Sequence, residues 1–307
     1  MLLGLAVLLL TAAIWGFAFV AQAAGGDAIG PFTFNSVRNL VGALVLLPVI
    51  VILDRVGAAS SREKICAKKR GKHVFLQGTV IGFLLFLATN LQQLGITYGR
   101  SAGKAGFITA FYLVLVPILG IFFGKKCPKA TWIAVVMALA GIYLISIAET
   151  SALSWPDILL LLSALGFAIQ ILFVDRFMTD ATDNIYAVRL AMMEFLICGI
   201  LSGIPALLFE RQNWSGGITA FLRPDALGSI LYAGILSCGV AYTLQIVGQK
   251  NVPPTLASLM MSFESVFCLL GGWLLLGEQL TPRQLLGCAL MFAAVLVAQF
   301  AEAKDSG

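Results

Sequence analysis

The sequence predicts an all-α polytopic membrane protein: ten transmembrane helices in two inverted five-helix repeats, residues 1–150 and 151–307, with both termini in the cytoplasm. Three observations predict it. The 307 residues are 60% hydrophobic and only 11% charged, with a mean hydropathy of +0.96, far from the roughly 45–50% apolar and 25% charged make-up of a soluble domain. Apolar runs long enough to cross a hydrocarbon core of ~30 Å as a helix recur along the whole chain. The chain also repeats itself: setting Gln93 on Gln245 brings Ala105 onto Ala257 and Phe111 onto Phe263 at an offset of 152. Upstream the register persists, with Gly16-Phe17-Ala18 recurring as Gly166-Phe167-Ala168 and Val37-Arg38 as Val188-Arg189.

The ten runs follow in order. Run 2–24 has no basic segment before it and exceeds the apolar core of a signal peptide, so it reads as helix 1. Helix 2, 32–53, starts behind Pro31, where a missing backbone N–H costs nothing. The basic stretch 54–73 reads as a loop, too small for a domain, and leads into helix 3 at 74–98. Helix 4, 105–123, ends at Gly124 before Lys125 and Lys126, and helix 5, 130–148, follows Pro128. In the second copy, helix 6 (156–174) opens on Pro156, helix 7 is 185–209, helix 8 (226–249) follows Pro224 and helix 9 (254–276) opens at Pro253-Pro254. Helix 10, 284–301, is announced by Thr281-Pro282-Arg283-Gln284, which has capping-box spacing.

Orientation follows from the loop charges, because Lys and Arg are retained in short cytoplasmic loops. Arg55, Arg62, Lys64, Lys68, Lys69, Arg70 and Lys72 fall in one loop and Lys125, Lys126 and Lys129 in the next on the same side. Arg176, Lys250 and Lys304 join them; Arg100, Lys104, Arg211, Arg223 and Arg283 lie opposite. With an odd number of helices per copy, the second copy enters the membrane from the other face, and inverted repeats place a substrate site near the midplane between them. The net charge of +5 is therefore a topology and lipid-contact signal, not a nucleic-acid surface. Glycine pairs at 78/82, 120/124 and 199/203 have GxxxG spacing, which suits close helix packing and, less directly, a weak homodimer in place of a monomer.

Charged residues deep in a span are costly and mark a wet interior or an ion pair. Arg38 is roughly 9 Å into helix 2 and Arg189 roughly 6 Å into helix 7, on opposite sides of the centre; each lines a cavity or snorkels to headgroups. Glu264 is roughly 15 Å into helix 9, too deep for its short side chain to snorkel. It is either a titrating group, with protons as coupling ion, or half of a structural pair. Glu194 is equally deep in helix 7 but turned about 140° from Arg189, and Arg189 and Glu264 are favoured over it as cavity residues. The predicted pathway comprises Trp15, Arg38, Asn90, Gln93, Thr109, Tyr112, Arg189, Tyr242, Gln245, Ser262 and Glu264.

Enzyme chemistry finds little support. The lone histidine, His73, lies at a helix border, no pair of aspartates lies at depth, and there is no P-loop. The six cysteines are scattered singly, so neither disulfides, a metal nor a cofactor is expected.

Several pieces in order resemble a known family: Trp15-Gly16-x-x-Phe19, Val37-Arg38-Asn39-Leu40, Gly106-Phe107-x-Thr109-Ala110 with Pro117, Phe263-Glu264-x-Val266-Phe267, and Leu275-Leu276-Gly277-Glu278 followed by Thr281-Pro282. On these the chain is identified as resembling the drug/metabolite transporter superfamily, in its EamA-like branch of bacterial ten-helix exporters. The resemblance implies a central cavity from helices 1 to 4 and 6 to 9, peripheral helices 5 and 10, and export of a small-molecule substrate such as an amino acid from the cytoplasm across the bacterial inner membrane by alternating access. An importer or uniporter of the same fold, and a non-transporting membrane scaffold or receptor, are the alternatives. Two departures stand out: Ser265 replaces the proline the family places after the helix 9 glutamate, which questions a kink there, and Leu165-Gly166 replaces a second Trp-Gly.

Overall fold

A computed structural model describes residues 1–57, 61–99, 102–125, 129–146, 154–178, 184–214, 217–250, 252–276 and 281–305. Every element among them is helical. The first repeat contains α1 (Leu2–Ile29), α2 (Pro31–Gly57), α3 (Ser61–Gly99), α4 (Ala102–Thr109), α5 (Tyr112–Phe122) and α6 (Lys129–Ser146). The second opens with α7 (Trp155–Met178) and α8 (Asn184–Phe209), followed by a 3₁₀ turn Arg211–Trp214 and α9 (Ile218–Phe221). It continues through α10 (Pro224–Leu231), a π-helical stretch Tyr232–Tyr242 and α11 (Thr243–Gln249) to α12 (Pro254–Met261), α13 (Glu264–Leu276) and α14 (Pro282–Asp305).

Among the described residues six helices are long and apolar enough to cross a membrane: α1, α2, α3, α7, α8 and the continuous Ala226–Gln249. Four shorter apolar helices fall where the sequence places runs four, five, nine and ten. One expectation is corrected, since the basic segment read as a loop is helical from Ser61 onward and extends α3. Its Arg, Glu, Lys and Ala residues are good helix formers and carry the helix on beyond its apolar part. The caps behave as the sequence suggests: Pro31, Pro224, Pro254 and Pro282 each open a helix, and Thr281 and Gln284 exchange hydrogen bonds, Thr281 N donating to Gln284 Oε1 (2.9 Å) and Gln284 N to Thr281 Oγ1 (3.3 Å).

The fourth and ninth runs are each broken in two, and at repeat-related places. α4 stops at Thr109 and α5 restarts at Tyr112; α12 stops at Met261 and α13 restarts at Glu264. Around both breaks the backbone tightens to i→i−3 bonds, Phe111 N to Ile108 O (3.1 Å) and Phe263 N to Met260 O (3.3 Å). Helix 9 therefore bends without a proline beside Glu264. Two serines lie at the break: Ser258 Oγ and Ser262 Oγ donate back to the carbonyls of Thr255 and Leu259, both at 2.8 Å, in competition with the helix's own bonding.

Glycine sets the packing. A Cβ on Gly16 would lie 2.7 Å from the Glu264 carbonyl oxygen, so α1 is pressed against the start of α13. A Cβ on Gly78 or Gly82 would strike Met193 or Ile197 of α8, and one on Gly199 would strike Leu40 of α2. These spacings thus serve contacts inside the chain. α2 and α8 also clasp each other at their ends. The buried Glu210, just past α8, accepts from Phe32 N (3.0 Å), Thr33 N (2.7 Å) and Thr33 Oγ1 (2.7 Å) at the start of α2. At the other end Asp54 of α2 pairs with Arg189 of α8 at 2.5 Å. α6 and α14 pack chiefly on each other and touch the rest through the broken helices, the peripheral placement expected of helices 5 and 10.

Candidate functional site

A narrow cavity of about 40 Å³ lies between the two repeats, room for occupants of water size in this conformation. Its wall is shared. α1 contributes Trp15, Phe19 and Gln22, α2 Arg38, α3 Gln92, α4 Thr109 and α5 Tyr112. From the second repeat come Phe167 and Gln170 of α7, Ser237 and Tyr242 of the π-helical stretch, Gln245 of α11, Met261 of α12 and Glu264 of α13.

The two broken helices meet at this wall. Tyr112 and Glu264, each the first residue after its break and related by the repeat offset, join through a hydrogen bond from Tyr112 Oη to Glu264 Oε1 at 3.3 Å. Both are buried. The contact therefore joins equivalent positions of the two repeats. Here the offset matters, because the sequence alone gives the two residues as equivalents and the fold turns equivalence into contact.

Arg38 is only 2% exposed. Its guanidinium carbon stands 5.4 Å over the Phe34 ring, a cation–π arrangement. No carboxylate pairs with it among the described residues, and Nε has no hydrogen-bond partner. A buried cation without a counter-charge is costly unless something arrives to balance it. The aromatic side of the wall is ordered by Tyr242, whose ring meets Trp15 edge-on at 4.6 Å and Phe195 at 5.7 Å. Trp15 Nε1 is free of partners, as are the Gln22 and Gln245 side-chain oxygens. The cavity thus presents donors, acceptors and one positive charge, all unengaged, on an aromatic frame.

Seven predicted pathway residues lie on this wall: Trp15, Arg38, Thr109, Tyr112, Tyr242, Gln245 and Glu264. Four do not. Gln93 is one step behind it, donating to the backbone carbonyl of Gln22 at 2.8 Å. Asn90 belongs to a separate polar cluster, accepting from Asn35 (3.1 Å) and donating to Ser202 (2.7 Å). Ser262 bonds its own helix, and Arg189 is held away by Asp54 near the end of α2. The preference for Arg189 over Glu194 fails in consequence: Glu194 is fully buried and bonds to the cavity residue Gln170 at 2.9 Å. Arg189 stands so near its helix end that a partner at the helix border reaches it first. The sequence reading missed Gln22, Gln170 and Ser237. The two glutamines carried a signal, each being the lone amide of an otherwise apolar run; Ser237 carried none, lying in a stretch that winds as a π-helix.

Comparison with known proteins gives a consistent result. The EamA-like transporter family matches twice, over residues 2–147 and 154–299. An uncharacterized transporter of Archaeoglobus fulgidus is 29% identical over 96% of this chain and 84% of its own. Bacillus subtilis YwfM, likewise an uncharacterized transporter, is 28% identical over 97% and 94%, and the uncharacterized inner membrane transporter YedA of Escherichia coli K12 is 24% identical over 92% and 87%. One solved crystal structure superposes with a TM-score of 0.75 over 98% of both chains at 16% identity, a likeness of fold.

Proposed function

We propose that this chain, which belongs to the EamA-like transporter family, is a secondary transporter that exports small metabolites carrying a carboxylate, amino acids among them, across the inner membrane by alternating access. In this reading the chain crosses the membrane ten times, the two repeats are inverted, and both termini face the cytoplasm. The observation that carries it is Arg38: a buried guanidinium, unpaired among the described residues, on a wall built by both repeats. A carboxylate offers the planar pair of acceptors that a guanidinium fork matches. Trp15, Tyr242 and Phe19 would hold the apolar part of such a cargo, and Glu264 would face its cationic group or take up a proton.

At about 40 Å³ the cavity is far below the roughly 300–1,000 Å³ of a ligand site, so cargo entry requires the repeats to part. The break points at 110–111 and 262–263 are the places where the wall can flex. The test is counterflow of a labelled metabolite panel in proteoliposomes holding the full chain. Movement of carboxylate-bearing compounds, abolished by Arg38→Ala, is expected. Movement of none of the panel would replace the carrier with a non-transporting scaffold, and movement of uncharged compounds alone would remove Arg38 from the cargo site.

A further inference from the structure

Glu194 of α8 has no exposed surface and is linked to the cavity by two amides. Gln170 Nε2 donates to Glu194 Oε1 at 2.9 Å, and Gln245 Nε2 donates to Gln170 Oε1 at 3.1 Å. Both glutamines line the cavity. The relay leaves one unpartnered oxygen at each end, Glu194 Oε2 and Gln245 Oε1. Among the described residues no cation pairs with Glu194. The groups facing it are Cys198 on its own helix and Cys238 and Tyr242 on the π-helical stretch, and Arg38 of α2 acts on the same three. α7 offers the Gln170 amide and α11 that of Gln245, while on α3 Gly82 lies against the Glu194 backbone carbonyl and Thr89 against Cys198.

An ionised carboxylate with one amide donor and a stranded oxygen is a poor occupant of an apolar interior. One proton removes the buried charge and reverses the polarity of the whole relay. A carboxyl O–H can donate to Gln170 Oε1; Gln170 then turns its amide over and donates to Gln245 Oε1; and Gln245 turns in step, releasing its NH₂ at the cavity end. The only bond made is the O–H. The end of the relay changes from a lone pair to an N–H donor, and with it the kind of group the wall accepts. The matching position in the first repeat, by the offset of Arg38 to Arg189, is Ala43, so the relay belongs to the second repeat alone.

We propose that Glu194 is a proton-binding site of this carrier, separate from Glu264, and that Gln170 and Gln245 carry its protonation to the cavity wall by reversing together. The consequence for cargo rests on the transport reading above; the proton site does not. Infrared difference spectroscopy on the full chain in lipid nanodiscs, acidified stepwise with glutamine side chains carbon-13 labelled, reads both parts. Wild type is expected to gain two carboxylic-acid carbonyl bands, one lost in Glu194→Gln and the other in Glu264→Gln. Labelled amide bands should move with the first and stay fixed in Glu194→Gln. Should that variant fail to fold, Gln170→Leu should keep the Glu194 band but shift its midpoint and frequency. A Glu194→Gln spectrum gaining the same two bands as wild type, or a Gln170→Leu spectrum identical to it, would overturn the proton site. Titration of Glu194 with unmoved amide bands would overturn the relay. None of these readouts involves cargo movement, so their failure is distinct from failure of the carrier reading.

Discussion

Arg38 and Glu264 are the residues on which transport turns in this account. If Arg38 balances a cargo carboxylate, Arg38→Ala leaves the cargo unanchored and counterflow should fall by about thirtyfold or more, the loss expected when a buried charged partner is removed at about 2–5 kcal/mol. Arg38→Lys should restore part of it, since lysine keeps the charge without the planar fork. Wild-type counterflow by Arg38→Ala would show that the guanidinium serves packing. Glu264→Gln keeps shape and hydrogen bonding to Tyr112 while removing the proton site. It is expected to exchange cargo but to lose accumulation driven by a pH gradient, and accumulation that persists would move coupling elsewhere. Glu264 was legible from depth alone, because a short charged side chain far from either helix end has few bland explanations, whereas the depth of Arg38 left snorkelling open. Arg189 shows the limit of that argument: near a helix end, a carboxylate on another helix decides the matter, and Asp54 lies 135 residues away in the chain.

At the scale of elements, the bend in helix 9 and the clasp between α2 and α8 explain how a chain of apolar helices gains a defined shape. Lipid offers no hydrophobic drive between helices, so close glycine contacts and buried hydrogen bonds carry the specificity. Glu210 receives two backbone N–H groups at the start of α2, and the Thr33 hydroxyl, which also accepts from Trp214 Nε1 at 3.1 Å. Glu210→Ala should cost about 1–3 kcal/mol, read as a lower melting temperature in detergent with counterflow preserved at low temperature. An unchanged melting temperature would mean that the clasp adds nothing. Runs of apolar residues, proline starts and the Thr281–Gln284 cap were readable one by one, because each is set by local chemistry. The breaks were not. Ser262 reads as a pathway residue in the sequence, and only its bond back to the Leu259 carbonyl shows that it is spent on its own helix at the break. Helix 3 was read too short for a similar reason: hydropathy marks where a helix turns polar, not where it starts.

At the scale of the molecule, the repeat offset is the most informative feature of the sequence. By the offset of 152 Tyr112 is the equivalent of Glu264, and the fold joins the two at 3.3 Å across the wall. The offset also marks an asymmetry, since the position matching Glu194 in the other copy is Ala43. The proposed topology, inverted repeats with both termini inside, makes a prediction. In a background free of native cysteines, Ser61→Cys should react with an impermeant thiol reagent only from the cytoplasmic side and Asn213→Cys only from outside; reversal of the two would reverse the direction of transport proposed here. The central claim is that the cavity itself is the path, opened to each side in turn. Thr109, on the wall at the end of α4, reports on it directly. In sealed vesicles of known orientation, Thr109→Cys should be labelled by the impermeant reagent from either face, more slowly when a transported metabolite is present. Labelling from one face only, at a rate that no metabolite changes, would contradict the account.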